Sequence, residues 1–147
     1  MRLKQASELD LDTIHTLSGK RIKDSTLSYQ DLHDYLNDRN MGVYLLEDNG
    51  LVLGYLILRF ETEEGEIDEI AVRKEEEGKG LGTLMLKEST EIFLRRGIEK
   101  VFLEVRKKNE KAIHLYEKNG FILYRTRKNY YADDDALCYV KELNHER

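Results

Sequence analysis

The sequence contains no proline, one cysteine and no long apolar run. Without proline there is no proline-rich spacer, and no Gly/Ser linker, repeat or low-complexity tract divides the chain. Lack of proline beside abundant Glu and Lys is a balance found in some thermophile proteins. A lone cysteine, Cys138, rules out an internal disulfide; within the apolar run ALCYV it reads as a buried core thiol rather than a nucleophile. No run approaches the roughly 20 apolar residues that cross a bilayer. The start, MRLKQASELDLDTI, lacks the apolar core of a signal peptide, so no membrane partner and a cytoplasmic location are expected. Positive charge is not in excess: a net charge of -5 gives no global electrostatic case for nucleic acid or an anionic membrane. His15, His33, His114 and His145 show no metal-like spacing with the cysteine and read as surface residues, so no metal is expected.

What is present fits a globular chain. Its 147 residues, 40% hydrophobic and 36% charged, suffice for one domain with a real core, expected to span residues 1–147. The acidic segment ETEEGEIDE, residues 61–69, reads as a solvated hairpin, or as an acidic rim that attracts a cationic substrate.

Turn and cap signals punctuate the chain. Residues 2–6 read as a short strand, and Ser7 with Asp10 forms a capping box before a helix whose stripe is Leu11, Ile14 and Leu17. Ser28 and Asp31 repeat the pattern before a second helix with Leu32, Tyr35 and Leu36. Residues 41–47 and 51–60 read as strands around an Asp48-Asn49-Gly50 turn, and Glu64-Gly65 turns the chain into a third, residues 66–73. A helix carrying Leu81, Leu84, Met85, Ile92 and Phe93 ends near Arg96, with Gly97 relieving the left-handed strain of its end. A strand over residues 100–106, a short helix capped by Asn109, and strands over 121–126 and 136–143 complete an α/β or α+β domain. The stretch RKNYYADDD joins the last two strands as a loop.

Between the third strand and its helix lies EGKGLG, residues 77–82. A glycine-rich turn feeding a helix N-terminus suits an anion: the first N–H groups have no helical acceptor and the macrodipole adds partial positive charge. Gly78, Gly80 and Gly82 would let a diphosphate approach them, and Lys79 could add a charged contact. No Lys-Ser/Thr pair of a Walker loop follows, and a dinucleotide fingerprint would need glycine at Met85. On the glycines alone, a phosphate site and a plain tight turn both stand.

The run IAVRKEEEGKGLGTLML resembles the acetyl-CoA motif Q/R-x-x-G-x-G/A of the GNAT acetyltransferases, with Gly80 and Gly82 as its glycines and Glu77, a departure, at the Q/R position. VFLEVRKKNEKAIHLYEKNGF is similar to a second signature of RimI-type N-terminal acetyltransferases, and RKNYYADDDALCYVKEL to the Tyr-Tyr segment with which RimI-type and archaeal N-terminal acetyltransferases hold a peptide. The likeness runs over about residues 42–143, in three blocks in family order; the first two helices match only in pattern. It implies a GNAT fold, a mixed sheet of about seven strands splayed in the middle and flanked by about four helices. It also implies acetyl transfer from acetyl-CoA to an amine.

By the same resemblance the cofactor-binding residues are Ile70, Ala71 and Val72, whose backbone would pair with pantetheine like an added strand, then Gly78, Lys79, Gly80, Leu81, Gly82 and Thr83, and Asn109, which can also cap its helix. Glu104 would be the general base. On its strand it shares a face with Phe102 and Arg106, against Val101, Leu103 and Val105, so burial is expected to raise its pKa; a plain ion pair with Arg106 is the alternative. Tyr116 would protonate the leaving thiolate, or else be a core aromatic beside Ala112 and Ile113. Tyr130 and Tyr131 would line the peptide groove, with Tyr29 contributing. The expected partner is a protein or peptide N-terminus, a ribosomal protein among the candidates. The alternatives are a lysine or small-molecule amine, and a non-catalytic acyl-CoA-binding domain.

Overall fold

A computed structural model describes residues 2–21 and 27–143, without the side chains of residues 20 and 21; His145 lies outside these. The strands are β1 (Arg2–Gln5), β2 (Met41–Asp48), β3 (Leu51–Glu61), β4 (Glu64–Val72), β5 (Lys100–Arg106), β6 (Ile122–Tyr131) and β7 (Asp134–Glu142). The helices are α1 (Leu11–Arg21), α2 (Tyr29–Leu36), α3 (Leu81–Arg95) and α4 (Glu110–Lys118). Among the described residues no helix is long and apolar enough to cross a membrane.

The strands form one seven-stranded sheet in the order β1-β2-β3-β4-β5-β7-β6. All neighbours are antiparallel except β4 and β5. That parallel pair is brief: Glu64, Gly65 and Glu66 stand opposite Lys100, Val101 and Phe102, and pairing then stops although both strands continue. Residues 67–72 of β4 and 103–106 of β5 therefore diverge around a gap, the expected splay. β4 also carries a bulge, for Ile57 faces Glu69 and Leu58 faces Ile67, leaving Asp68 as the extra residue. A bulge bends its strand and strengthens its twist.

Apolar side chains fill both faces of the sheet. Leu56, Leu58, Val101, Leu103 and Val105 bury against Met85, Phe93 and Tyr116 of α3 and α4. Leu45, Tyr55 and Ile57 bury against Ile14, Leu17 and Leu32 of α1 and α2. The central strand β3 is accordingly buried on both sides through most of its length.

The local expectations hold in most places. Ser7 and Asp10 close their capping box, and the Ser28 hydroxyl accepts the Asp31 N–H at 3.0 Å. Asn49 and Gly50 turn the β2–β3 hairpin with φ of 51° and 82°. Cys138 is buried.

Three details differ. Gly65 is not in a turn: β4 has already begun, and the buried Gly65 leaves its Cβ space to the Phe93 ring. The segment holding Tyr130 and Tyr131 is not a loop but the end of β6, and residues 132 and 133 alone make the turn. Register slips twice along β6 and Asn129 takes φ 55°, with its N–H donating to Asp135 Oδ1 at 2.8 Å, so the strand survives a run of polar residues. His15 is no free surface residue: its Nδ1 lies 2.6 Å from the Leu27 carbonyl and its ring stacks on Tyr29.

Gly54 sets the spacing of β3 and β4, because a Cβ there would run into the Ala71 carbonyl oxygen. Neither backbone can yield without breaking the ladder. Gly54→Ala is expected to lower stability by ~1–3 kcal/mol, read from urea unfolding; an unchanged midpoint would show that the strands can spread.

Candidate active site

The gap between β4 and β5 is open on both faces of the sheet, and the two mouths differ. On the α3–α4 face is a cavity of about 730 Å³, in the range of sites that hold cofactors. Ile70, Ala71 and Val72 form one wall, the glycine turn and first turn of α3 the floor, and Asn109, Lys111, Leu115 and Tyr116 the far side. Beyond Glu66, the β4 edge facing this gap has no strand partner among the described residues.

Each part of the glycine turn has its own reason. Gly78 and Gly80 both adopt φ 79°, and no described atom lies within 4 Å of where their Cβ would be. Gly80 is the N-cap of α3, and the first helical bond runs from Leu84 N–H to its carbonyl. The N–H groups of Leu81, Gly82 and Thr83 therefore precede the helical ladder, with no acidic residue in the first turn to offset the dipole. Gly82 also has a packing role: a Cβ there would lie 2.8 Å from Leu115 Cδ2, so its absence lets α4 close on α3.

The neighbouring charges fall differently from expectation. Lys79 Nζ donates to Glu76 Oε2 at 2.9 Å and is not part of the cavity wall. Glu76 and Glu77 do line the cavity, and Lys79 neutralises Glu76 there. The cation on the wall is Lys111, which the sequence reading did not single out because a lysine in a polar helical turn carries no local signal. Asn109 caps α4, its Oδ1 accepting the Ala112 N–H at 3.2 Å, and lines the cavity as well. This set fits a nucleotide thioester: open backbone amides for a diphosphate, a free strand edge for an extended arm, and a cation at the rim.

On the α1–α2 face the gap opens into a polar groove. Glu66, Glu69, Glu104, Tyr35, Tyr130 and Tyr131 all line it. Glu104 projects from the expected face of β5, and its side chain is 29% exposed. Its Oε2 is buried and accepts no hydrogen bond among the described residues. The cation beside it is Arg127 of β6, 3.8 Å from Oε1, and not Arg106, which bonds Asp133 at 2.7 Å. Arg106 also sits 4.0 Å over the Tyr131 ring and so braces it. Tyr29 does not reach this groove: its hydroxyl donates to Asp12 Oδ1 at 2.7 Å, and the tyrosine of α2 that lines the groove is Tyr35.

Tyr116 is buried on the other face and packs edge-on to Phe121. Burial, with a smaller contribution from Tyr131, pushes its hydroxyl up to about 12. Burial followed by the Glu104 charge also raises Tyr131. Tyr131 thus feels the Glu104 charge and itself bears on Tyr116.

Among the described residues no group of three or more His, Cys, Asp and Glu is placed to hold a metal ion.

Comparison with known proteins agrees with this architecture. Residues 10–121 match the family described as Acetyltransferase (GNAT) family. The chain is 28% identical to an N-alpha-acetyltransferase of Sulfurisphaera tokodaii over 97% of its own length and 93% of the relative's. It is 34% identical to the ribosomal protein bS18-alanine N-acetyltransferase of Escherichia coli over 63% of each. The crystal structure of the ribosomal-protein-S18-alanine N-acetyltransferase from Escherichia coli superposes with a TM-score of 0.87 at 25% identity, covering 97% of this chain and 94% of that one. With the glycine turn, the splayed sheet and this match over most of its length, the chain belongs to the GNAT family and is an acetyl-CoA-dependent acetyltransferase.

Proposed function

We propose that this enzyme, a single domain spanning the chain, acetylates the N-terminal α-amine of a protein or peptide, a ribosomal protein among the candidates. The observation that carries the reading is the groove in which Glu104 stands with Tyr130 and Tyr131, opposite the glycine-turn cavity. Two adjacent tyrosines offer flat faces and hydroxyls to a peptide backbone. The relatives named for α-amine acetylation support it.

Acetyl-CoA would supply an acetyl group activated as a thioester. The amides at Gly78, Gly80, Leu81, Gly82 and Thr83 would hold its diphosphate, and the free edge at Ile70, Ala71 and Val72 its pantetheine arm, with Asn109 beside it. Glu104 Oε2, buried with no donor among the described residues, is suited to take a proton from the attacking nitrogen. Tyr116 stays protonated throughout the working pH range because burial holds its hydroxyl near 12, so it can donate to the departing sulfur.

A second reading, a lysine or small-molecule amine, is favoured by the carboxylates Asp31, Glu66, Asp68 and Glu69 in the same groove. A peptide panel separates the two: free peptides of varied first residue, and the same peptides blocked at the N-terminus but carrying Lys. Acetylation of the free α-amines is expected, and acetylation of blocked Lys peptides alone would sink the proposal.

Glu104→Gln is expected to cut kcat by about 10²–10⁴ while acetyl-CoA affinity, measured by calorimetry, barely moves; an unchanged rate at every pH would remove Glu104 as base. Gly80→Val places a branched side chain at φ 79° where the cavity floor needs none. Its dissociation constant for acetyl-CoA should rise at least about tenfold, a loss of ~1.4 kcal/mol, and an unchanged constant would refute that placement of the diphosphate.

A further inference from the structure

Glu69 has no role in the scheme above, yet it lines the same groove as Glu104, Tyr130 and Tyr131. It follows the bulge residue Asp68, opposite Ile57 of β3. Its Oε1 accepts a hydrogen bond from the Tyr55 hydroxyl at 3.3 Å, and Tyr55 is wholly buried. Its neighbour Asp68 is satisfied by Arg59 at 2.8 Å. Among the described residues no cation pairs with Glu69. A carboxylate held by one neutral donor, at the wall of the groove where an amine must enter, is free to meet a cation or a proton.

The reaction has a use for such a group. A nitrogen that begins as an ammonium sheds two protons on its way to an amide: one before it can attack, and one as the new bond forms. An α-ammonium, with a pKa near ~8, is mostly protonated at neutral pH. Without a second acceptor in the groove, the first proton must go to solvent before binding, which leaves only the minor neutral fraction reactive, or to Glu104.

We propose that Glu69 is a second catalytic carboxylate, the acceptor of the proton that the substrate's α-ammonium must lose before its nitrogen can attack. This rests on the N-terminal reading above. The ammonium and the Glu69 carboxylate become a neutral amine and a Glu69 carboxylic acid, which returns its proton to solvent; Glu104 takes the second proton. The surroundings of Glu69 suit it to accept that proton. Burial first, then the Asp68 charge, pushes Glu69 up to about 7, against a lowering by the Tyr55 hydrogen bond. That is close to the α-amine, so the proton moves between near-matched partners. The groups facing it are Tyr55 and Arg59 of β3, Asp31 and Tyr35 of α2, Glu66 and Asp68 of its own strand, Glu104 of β5, and Tyr130 and Tyr131 of β6.

The test is the pH profile of kcat/KM for wild type, Glu69→Gln and Tyr55→Phe. Glu69 is the active base only above about 7, so the wild-type profile should rise through that pH. Glu69→Gln should lose about threefold or more at pH ~7.5, where Glu69 is ionised and the amine still arrives mostly protonated, and less than about twofold at pH ~9, where it arrives neutral. Tyr55→Phe removes the donor that lowers Glu69 and should move the limb to higher pH. An equal loss at both pH values in Glu69→Gln, no loss at all, or an unmoved limb in Tyr55→Phe would overturn the proposal. Folding is read separately. A carboxylate whose folded pKa is raised opposes folding once ionised, so Glu69→Gln should melt above wild type at pH ~8 but not at pH ~4; a lower melting temperature at pH ~8 would count against a buried, unpaired charge. Wild type is first run on the peptide panel. If it leaves α-amines untouched, the N-terminal reading fails, and the ratio is taken on the amine that does react, at pH values on either side of that amine's own pKa. If it acetylates α-amines, only the ratio bears on Glu69.

Discussion

The parting of β4 from β5 is the constraint on which the rest of this structure depends. The two strands pair only from Glu64 to Glu66, then separate. Backbone groups that would have closed a ladder are left at a gap, and a buried, unpaired strand edge is unfavourable unless something else meets its N–H and C=O groups. A ligand lying in the gap can do so, which makes the separation useful to an enzyme and costly to an inert domain. The bulge at Asp68 lies where the divergence begins and turns β4 away. β5 continues instead beside β7, through Arg106, so the sheet is held together on both flanks of the gap.

The two apolar clusters keep the gap from collapsing. One fills the face under α3 and α4, the other the face under α1 and α2, and β3 contributes to both. They also divide the chemistry. Residues that suit a diphosphate and an extended arm lie on the first face, and a carboxylate-rich groove lies on the second. Glu104 and Tyr116 approach the gap from opposite sides, with Tyr131 electrostatically linked to both. The groove is acidic but not uniformly so. Arg59 satisfies Asp68 and Arg127 stands 3.8 Å from Glu104, while among the described residues Glu66 and Glu69 have burial and no ion pair of that closeness.

Much of this was legible in the sequence because it is written in local periodicity. Alternation along KVFLEVR set Glu104 on the face opposite the one through which Val101, Leu103 and Val105 are buried. Ser7, Ser28, Asn109 and Gly97 marked helix ends by the chemistry of their own side chains, or lack of one. Gly78 and Gly80 announced bare backbone before a helix. Other features were not local. Gly65 reads as a turn until Phe93 arrives from α3 to occupy its missing Cβ. Tyr130 and Tyr131 read as loop because RKNYYADDD is polar, yet β7 offers a ladder that extends β6 to within two residues of it. Lys79, adjacent to the glycines, is drawn off by Glu76, and Lys111, far along the chain, lines the cavity in its place.

The sequence by itself determined the elements, the cap chemistry, the face on which Glu104 lies and the anion-seeking turn at residues 77–82, because each depends on neighbours within a few residues. Only the tertiary structure decided which charges meet. Arg127 rather than Arg106 stands beside Glu104, Tyr35 rather than Tyr29 lines the groove, and Glu69 rests against Tyr55. Those pairings depend on strand register, on the bulge at Asp68 and on how far β4 and β5 separate. Electrostatic energy depends on the distance between charges and on their burial, so the acid–base character of this site belongs to the packing of distant segments and not to any one stretch of chain.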